Sequence, residues 1–412
     1  MIKYTKAVLE NGLRVLVHED RSTPLIAVNV LYDVGARDES EKRTGFAHLF
    51  EHLMFGGSKN VKDYDGPIQK AGGDCNAFTN NDLTNFYQIL PADNVETALW
   101  LESDRMMRLD FNQKSLDTQK KVVIEEFNET CLNKPYGTVW HDLSSLVYKV
   151  HPYRWPTIGL EPKHIADASL EDVEQFFYSY YRPNNAILVF SGNIDHDKAV
   201  GLSEKWFGGI PKGELPERQI PIEPQQKDHR FLEKKSAVPI DALYMAFRIP
   251  GRLHQDYYAI DLLSDVICNG RSSRLYKKLY KEQKIFSSID AYISGNIDPG
   301  ILVIEGKPND GFSLEYGKQK IWEELEKIKD QLVEPEELQK YVNKVESNIE
   351  FSESNILNKA INLAFFELIG HTERINNEIE FYQKVKVEDI KRVANDILVE
   401  ENCSVLHYLK ND

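Results

Sequence analysis

Long apolar runs are absent from this sequence of 412 residues. No stretch approaches the ~20 consecutive apolar residues that a membrane-spanning helix requires. The first six residues, Met-Ile-Lys-Tyr-Thr-Lys, also lack the apolar segment of a secretory signal. Together these absences predict a cytoplasmic protein with no membrane partner.

Basic residues are in deficit and cysteines are few. The 50 Lys and Arg residues stand against 65 Asp and Glu residues, so the formal net charge is −15 with His neutral. Such an acidic chain matches the phosphate backbone of nucleic acid poorly, and no nucleic-acid partner is expected. The four cysteines are far apart, without a C-x-x-C pair, and predict four buried free thiols: Cys75, Cys131, Cys268 and Cys403.

Proline and charged residues are concentrated near the middle of the chain, at 211–230. Four prolines alternate there with charged residues and Gln, as in an extended linker between domains. The linker separates an N-terminal domain, 1–210, from a C-terminal domain, 231–412. Each half also contains a helix that begins with a Glu-Asp pair and leads into a closing strand, at 169–189 and again at 386–406. The spacing is constant, since 386 − 169 = 217, and it favours a duplicated unit.

The order of the elements indicates an α+β fold. We expect two tandem homologous domains, each a mainly antiparallel sheet with helices packed on one face. Period-two alternation predicts two opening strands that pair as a hairpin, and helical periodicity predicts the helix that follows. The predicted elements are strands at 13–20 and 25–34, a helix at 44–55, strands at 75–80 and 84–90, and helices at 93–108 and 114–132.

The segment His48-Leu-Phe-Glu51-His52 carries the clearest chemical signal. At 100° per residue, its apolar neighbours occupy a stripe about 140° wide, while His48, Glu51 and His52 fall on the opposite side. Histidines four residues apart stand one turn above each other, so that both imidazoles can reach one Zn²⁺. The intervening Glu51 lies beside the metal without binding it, in the H-x-x-E-H arrangement of inverzincins.

A catalytic zinc ion needs three protein ligands and one open position. The acidic end of the predicted helix at 114–132 is the natural source of the third ligand, because its apolar part can pack against the motif helix. Glu126 and Glu129 share one face of that helix, whereas Glu125 points about 100° away from Glu126. Spacing alone does not choose between Glu126 and Glu129.

The combined motifs resemble the pitrilysin/insulinase family of zinc peptidases. Its short bacterial branch, similar to the β subunit of the mitochondrial processing peptidase, is the nearest match. The resemblance covers nearly the whole chain and rests on three segments in order: the histidine motif 48–58, Gly72-Gly-Asp-Cys-Asn-Ala-Phe-Thr79, and Val122-Val-Ile-Glu-Glu126.

The resemblance implies roles for individual residues. It assigns one zinc ion to His48, His52 and Glu126, and it makes Glu51 the general base. In the family, a substrate peptide pairs with the edge strand that corresponds to four residues here: Asn76, Ala77, Phe78 and Thr79.

The sequence departs from the family pattern in two respects. A glutamate that often supports the third ligand is replaced by Gln119, so zinc orientation would depend more on neutral hydrogen bonds. An Arg and a Tyr that bind substrate from the second half are also missing, because the matching positions hold Tyr280 and Ser287. The nearest arginine, Arg274, is expected to be structural. The resemblance therefore implies a homologous partner subunit that carries the Arg/Tyr pair, or a homodimer.

The resulting hypothesis is a zinc metalloendopeptidase that cleaves unfolded peptides as the catalytic subunit of a two-subunit enzyme. Basic peptides would suit the net charge of −15. The alternative is a non-catalytic scaffold, like the core subunits of respiratory complexes that share this fold. Those relatives commonly lose part of the zinc motif, which is complete here.

Overall fold

The computed structural model of the protein describes residues 1–411. Two β-sheets organise this part of the chain. Their strands are β1 (Thr5–Val8), β2 (Arg14–Glu19), β3 (Leu25–Tyr32), β4 (Asp74–Thr79), β5 (Thr84–Pro91), β6 (Ala186–Gly192), β7 (Arg230–Ser236), β8 (Ala242–Arg248), β9 (Phe286–Ile293), β10 (Ile301–Pro308) and β11 (Cys403–Lys410).

Fourteen α-helices lie in the described part of the chain. They are α1 (Phe46–Phe55), α2 (Asp65–Lys70), α3 (Val95–Met107), α4 (Gln113–Phe127), α5 (Val139–Val147), α6 (Pro162–Ala166), α7 (Leu170–Tyr180), α8 (His196–Phe207), α9 (Tyr257–Cys268), α10 (Leu314–Asp330), α11 (Pro335–Ser352), α12 (Ile356–Leu368), α13 (Arg374–Gln383) and α14 (Val387–Ile397). None of the helices within residues 1–411 is long and apolar enough to cross a membrane. The predicted helix at 114–132 corresponds to α4, which continues as a π-helical turn over Asn128–Leu132.

The first sheet has the strand order β1-β2-β6-β3-β5-β4. All neighbouring strands are antiparallel except β2 and β6, which run parallel. The predicted hairpin of β2 and β3 is wrong, because β6 lies between them. All seven residues of β6, Ala-Ile-Leu-Val-Phe-Ser-Gly, are buried, and such an apolar strand belongs in the middle of a sheet.

The second sheet repeats the first without its outermost strand. Its order is β7-β11-β8-β10-β9, so β2–β6 of the first sheet correspond to β7–β11 of the second. The single parallel pair is formed in both by the first and last strands of this five-strand repeat, β2 with β6 and β7 with β11. In both sheets the third strand of the repeat, β4 or β9, forms a free edge. The prediction of two α+β units with mainly antiparallel sheets is confirmed.

Two segments depart from the predicted division of the chain. The first compact unit comprises Met1–Phe127, Trp155–Ile220 and Glu350–Asn377, and the second unit takes the remaining described residues. The change of unit at Ile220 lies inside the predicted linker 211–230. The predicted domain 1–210, however, contains the segment 128–154, which belongs to the second unit. The predicted domain 231–412 contains the segment 350–377, which belongs to the first unit.

The two exchanged segments explain why the helices do not stay on one face of each sheet. Helix α12 packs on β3 and β6 of the first sheet, opposite the face that contacts the other helices of that unit. Helix α5 packs on β11, β7 and β8 of the second sheet. Each sheet has apolar side chains on both faces, so the second face also needs a cover.

Candidate metal centre

Helix α1 is held by its apolar side. The side chains of Leu49, Phe50 and Met54 are fully buried in the core of the first unit. The side chains of His48 and His52 on the other side are 14% and 24% exposed. The predicted helical stripe is therefore correct, and it turns the polar motif away from the core.

The start of α1 is fixed by a buried carboxylate. The Oε2 and Oε1 atoms of Glu39 accept the backbone N–H groups of Gly45 (2.9 Å) and Ala47 (2.8 Å). Gly45 has φ +85°, and a Cβ there would lie 2.8 Å from the carbonyl oxygen of Ile158, so a larger residue does not fit. Glu39 satisfies amide groups that a helix N-terminus leaves free, and it sets the position of the histidines.

Glu126 comes from the last turn of α4 and faces both histidines. Its Oε2 atom lies 3.6 Å from His48 Nε2 and 3.2 Å from His52 Nε2. The possible ligand atoms of these three residues are all within 4.8 Å of one another, and no other such group occurs in residues 1–411. Glu129, the alternative left open by spacing, is exposed on the π-helical turn and does not belong to this group.

The pKa shifts of His48 and Glu126 suit the binding of a divalent cation. Burial lowers the pKa of His48, which favours the neutral imidazole that a metal requires. The hydrogen bond from His52 lowers the pKa of Glu126 and keeps its carboxylate ionised. The imidazole rings of His48 and His52 stand nearly perpendicular, with centroids 4.8 Å apart. Two imidazoles and one carboxylate form a donor set that fits Zn²⁺.

Glu51 lies on the same side of α1 but bonds to a different element. Its Oε2 atom accepts a hydrogen bond of 2.6 Å from the Oγ1 hydroxyl of Thr79, the last residue of β4. Burial raises the pKa of Glu51, while the bond from Thr79 and the nearby His52 lower it. A raised pKa suits a group that accepts and returns a proton.

The predicted substrate strand is the free edge of the first sheet, β4, and it contacts α1. The side chains of Cys75 and Ala77 pack on the helix side of the sheet, whereas Phe78 packs on the opposite face. The backbone N–H groups of Cys75 and Ala77 bond to the side-chain Oδ1 atoms of Asp74 (3.0 Å) and Asn76 (2.8 Å). Those donors therefore point away from β5, towards the open edge.

Cys75 corrects one expectation. It is only half-buried on this edge strand, whereas the other three cysteines are buried free thiols as predicted. Burial and the neighbouring Asp65 raise the pKa of Cys75 to about 12. The thiol is therefore protonated and weakly nucleophilic.

Three positions differ from the family pattern: Gln119, Tyr280 and Ser287. Gln119 lies on α4, where its amide packs against Gly56 at the end of α1. In the second unit, Tyr280 is partly exposed and stacks on Tyr276 with ring centroids 4.6 Å apart. Ser287 is the second residue of β9, and its hydroxyl donates to the carbonyl oxygen of Lys307.

Arg274 is engaged in a structural contact. Its guanidinium forms a two-pronged ion pair with Glu337, at 3.3 and 2.9 Å. This pairing agrees with the structural role expected for it.

Sequence patterns overlooked two contacts at this centre. The bond from Thr79 to Glu51 joins residues 28 positions apart, and nothing in the spacing predicts it. The hydrogen bonds that Glu39 accepts could have been suspected, because an acidic residue shortly before a helix often accepts its first N–H groups.

Comparisons with known proteins agree with this geometry. The sequence pattern of Insulinase (Peptidase family M16) matches residues 14–159, and that of the Peptidase M16 inactive domain matches residues 167–345. The zinc protease PqqE of Helicobacter pylori is 29% identical over 96% of this chain and 90% of its own length. The β subunit of the mitochondrial-processing peptidase of Saccharomyces cerevisiae is 28% identical over 50% of this chain and 45% of its own length.

Solved structures share the fold over the whole chain. A protease from Helicobacter pylori has a TM-score of 0.92 and 26% identity, covering 99% of this chain and all of that one. A chain of complex III from Candida albicans has a TM-score of 0.80 and 18% identity, covering 99% of this chain and 96% of that one. The fold alone thus occurs both in a protease and in a respiratory complex.

Proposed function

The chain belongs to peptidase family M16, the insulinase family, and from this premise we propose that it is a zinc-dependent endopeptidase. Its substrates would be unfolded peptides or short polypeptides. The observation that carries the proposal is the meeting of His48, His52 and Glu126 beside a fourth group, Glu51, that is not needed as a ligand. A site that only stored a metal would have no use for that additional carboxylate.

His48, His52 and Glu126 would hold the zinc ion. Zn²⁺ bound there would act as a Lewis acid, polarising the scissile carbonyl and lowering the pKa of water towards ~7. The same donor set also accepts other divalent cations, so the metal used in the cell is to be measured.

Glu51 would act as the general base and then as the general acid. Its carboxylate accepts a proton from the attacking water and later returns a proton to the amine nitrogen that leaves. Burial has already raised its pKa towards the range in which both transfers are possible.

The edge strand β4 would receive the substrate. Side chains on this strand alternate between the two faces of the sheet, while the N–H groups of Cys75 and Ala77 point to the open edge. An extended peptide can pair with such an edge only if its own backbone is free, which selects unfolded segments. Asn76 and Asp74 would release these N–H groups when a peptide pairs with the strand.

A partner subunit would complete the substrate site. The second unit holds Tyr280 and Ser287 where the family pattern has its Arg and Tyr. One related sequence is named as a subunit of the mitochondrial-processing peptidase, and that name supports an assembly of two chains. A homologous chain that carries the Arg/Tyr pair, or a second copy of this chain, would fill the role.

A non-catalytic scaffold remains the second candidate, favoured by the fold shared with a complex III chain. Cleavage of a quenched fluorescent peptide separates the two. We expect cleavage by the zinc-loaded chain once a homologous partner is added, and its loss with a chelator. Cleavage by the chain alone would point to a homodimer. If zinc is bound but no peptide is cleaved, either by the chain alone or with the partner, the result would contradict the peptidase and favour the scaffold.

A further inference from the structure

Thr79 joins the peptide-binding edge to the proposed general base. Its Oγ1 hydroxyl lies 2.6 Å from Glu51 Oε2, and both residues are half-buried. Helix α1 and strand β4 are otherwise in contact through apolar side chains such as Ala77. The hydroxyl therefore makes a directed bond in an apolar contact between two rigid elements.

Along β4, the backbone groups of Thr79 and its side chain point in different directions. The N–H groups of Cys75 and Ala77 point to the open edge, and Thr79 follows them at the same period of two. Its backbone groups thus face the open edge, while its side chain faces Glu51. We propose, on the basis of the proposed peptidase function, that Thr79 is a positioning residue that holds Glu51 ready for proton transfer, rather than a substrate-binding side chain.

A single bond matters here because a glutamate side chain is flexible. Glu51 has three rotatable side-chain bonds, and its Oε2 atom is fixed by a donor on the sheet, which leaves the other oxygen to face the reacting water. Misplacement of a catalytic group by about 1 Å can cost about 100-fold in rate.

The competing explanation is that Thr79 merely ends the strand. A β-branched residue suits a strand, and its hydroxyl could simply find the nearest acceptor. Thr79→Val separates the explanations, because valine keeps the shape and the branching and loses only the hydroxyl. Thr79→Ser restores the hydroxyl without the methyl group.

The chain offers a matched control. Thr372, between α12 and α13, also donates its hydroxyl to a glutamate, Glu367, and is buried. Thr372→Val removes the same kind of bond outside the metal centre. A loss shared by Thr79→Val and Thr372→Val would reflect general destabilisation.

The first experiment measures kcat and KM on a quenched peptide, with zinc content determined for each variant. We expect Thr79→Val to lower kcat by about 10- to 100-fold, with KM within twofold and one zinc per chain. Thr79→Ser should recover most of kcat, and Thr372→Val should match the wild type. Unchanged kcat in Thr79→Val, equal losses in the Val and Ser variants, or a change in KM alone would overturn the proposal.

A binding measurement keeps this inference separate from the proposed function. A peptide hydroxamate chelates the metal and also donates a hydroxyl proton to an adjacent carboxylate, whereas a thiol peptide only binds the metal. Calorimetry on the zinc-loaded chain should show weaker hydroxamate binding in Thr79→Val and unchanged thiol binding. If the wild type cleaves nothing, the peptidase proposal fails, and this difference still decides the role of Thr79. If Thr79→Val and the wild type bind the hydroxamate with equal affinity, the proposed role of Thr79 is refuted.

Discussion

The two units place different chemistry on equivalent helices. Helix α9 of the second unit lies between the second and third strands of the repeat, as α1 does in the first unit, and each helix packs on the third strand. Matching the buried apolar pair Leu49-Phe50 with Leu262-Leu263 aligns the helices at a spacing of 213, since 262 − 49 = 213. The polar side of α1 then corresponds to Asp261, Ser264 and Asp265.

The aligned aspartates are bound by neighbouring side chains of the second unit, one through an ion pair and the other through a hydrogen bond. The Nζ atom of Lys344 lies 3.2 Å from Asp265 Oδ1, and the hydroxyl of Tyr382 donates to Asp261 at 2.6 Å. Lys344 belongs to α11, which follows the fourth strand as the second helix, just as α4 does with Glu126. In the second unit, the ammonium group of Lys344 is thus the counterion of Asp265. At the equivalent place in the first unit, Glu126 lies beside two histidines and can act as a metal ligand.

The apolar sides of α1 and α9 serve the fold, whereas their polar sides serve the chemistry. Both sheets keep the apolar side of the helix, because that side forms the core. The polar side is free to vary, so function resides in a few side chains placed on a common frame. Each of the following changes tests whether that separation is real.

The largest effect should come from giving α1 the residues of α9. His48→Asp combined with His52→Asp removes two imidazole donors and places two extra carboxylates beside Glu126. Zinc content should fall from one per chain to none, and peptide cleavage should become undetectable. Metal analysis and the fluorescence assay measure these losses. Asp265→Asn with Lys344→Gln is the control in the second unit, and loss of zinc in that variant would contradict the division of roles.

Removing the proposed general base alone should have the next largest effect. Glu51→Gln keeps the size of the side chain and leaves the three ligands in place. We expect zinc to remain bound while kcat falls by about 10² to 10⁴-fold, because the amide cannot accept the proton. Activity within tenfold of wild type would exclude Glu51 as the base.

The start of the motif helix offers a third comparison. Glu39 accepts two N–H groups at the start of α1, whereas the residue before α9, Asp256, makes no such side-chain bond. Glu39→Gln turns one acceptor into a donor that faces a backbone N–H group. Denaturant unfolding should show a loss of about 1–3 kcal/mol. Asp256→Asn, as the control, should leave the start of α9 intact and weaken only the partly exposed ion pair of Asp256 with Arg392, so a loss equal to that of Glu39→Gln would remove the contrast.

The smallest effect concerns Lys344. Lys344→Met leaves the buried Asp265 without its cation, which should cost about 1 kcal/mol at neutral pH because Lys344 is itself partly exposed. Burial raises the pKa of Asp265 above its usual value. As the pH falls through that pKa, Asp265 is protonated with or without Lys344, so the difference in unfolding free energy should vanish. A difference that persists at acid pH would show that Lys344 contributes by packing.

Local sequence signals predicted the centre better than they predicted the connections. The apolar stripe of α1 followed from periodicity, because that feature depends on near neighbours. The edge position of Asn76–Thr79 was implied by the family resemblance, and the structure places this strand at the sheet edge. The hairpin of β2 and β3 was wrong, since the partner of β2 is β6, more than 160 residues away. Strand neighbours of this kind depend on tertiary packing, which periodicity does not encode.

The exchange of helices was equally invisible in the sequence. The apolar residues of α5 and α12 indicate buried helices, but they do not say which sheet each helix covers. Spacing alone did not choose between Glu126 and Glu129. The structure groups only Glu126 with the two histidines, while Glu129 is exposed on the π-helical turn that follows Phe127. The resemblance to a family supplied Glu126 before any geometry did.

The cover of the first sheet by α12 has a consequence for synthesis. Residues 1–210 contain every proposed ligand, yet the sheet beneath them keeps one apolar face open until residue 377 has left the ribosome. At about 5–20 residues per second, the intervening 167 residues take roughly 8 to 33 s to make. During that time one apolar face of the sheet has no cover from the chain itself. The proposed metal centre would therefore reach its packed state only when nearly all of the chain has been made.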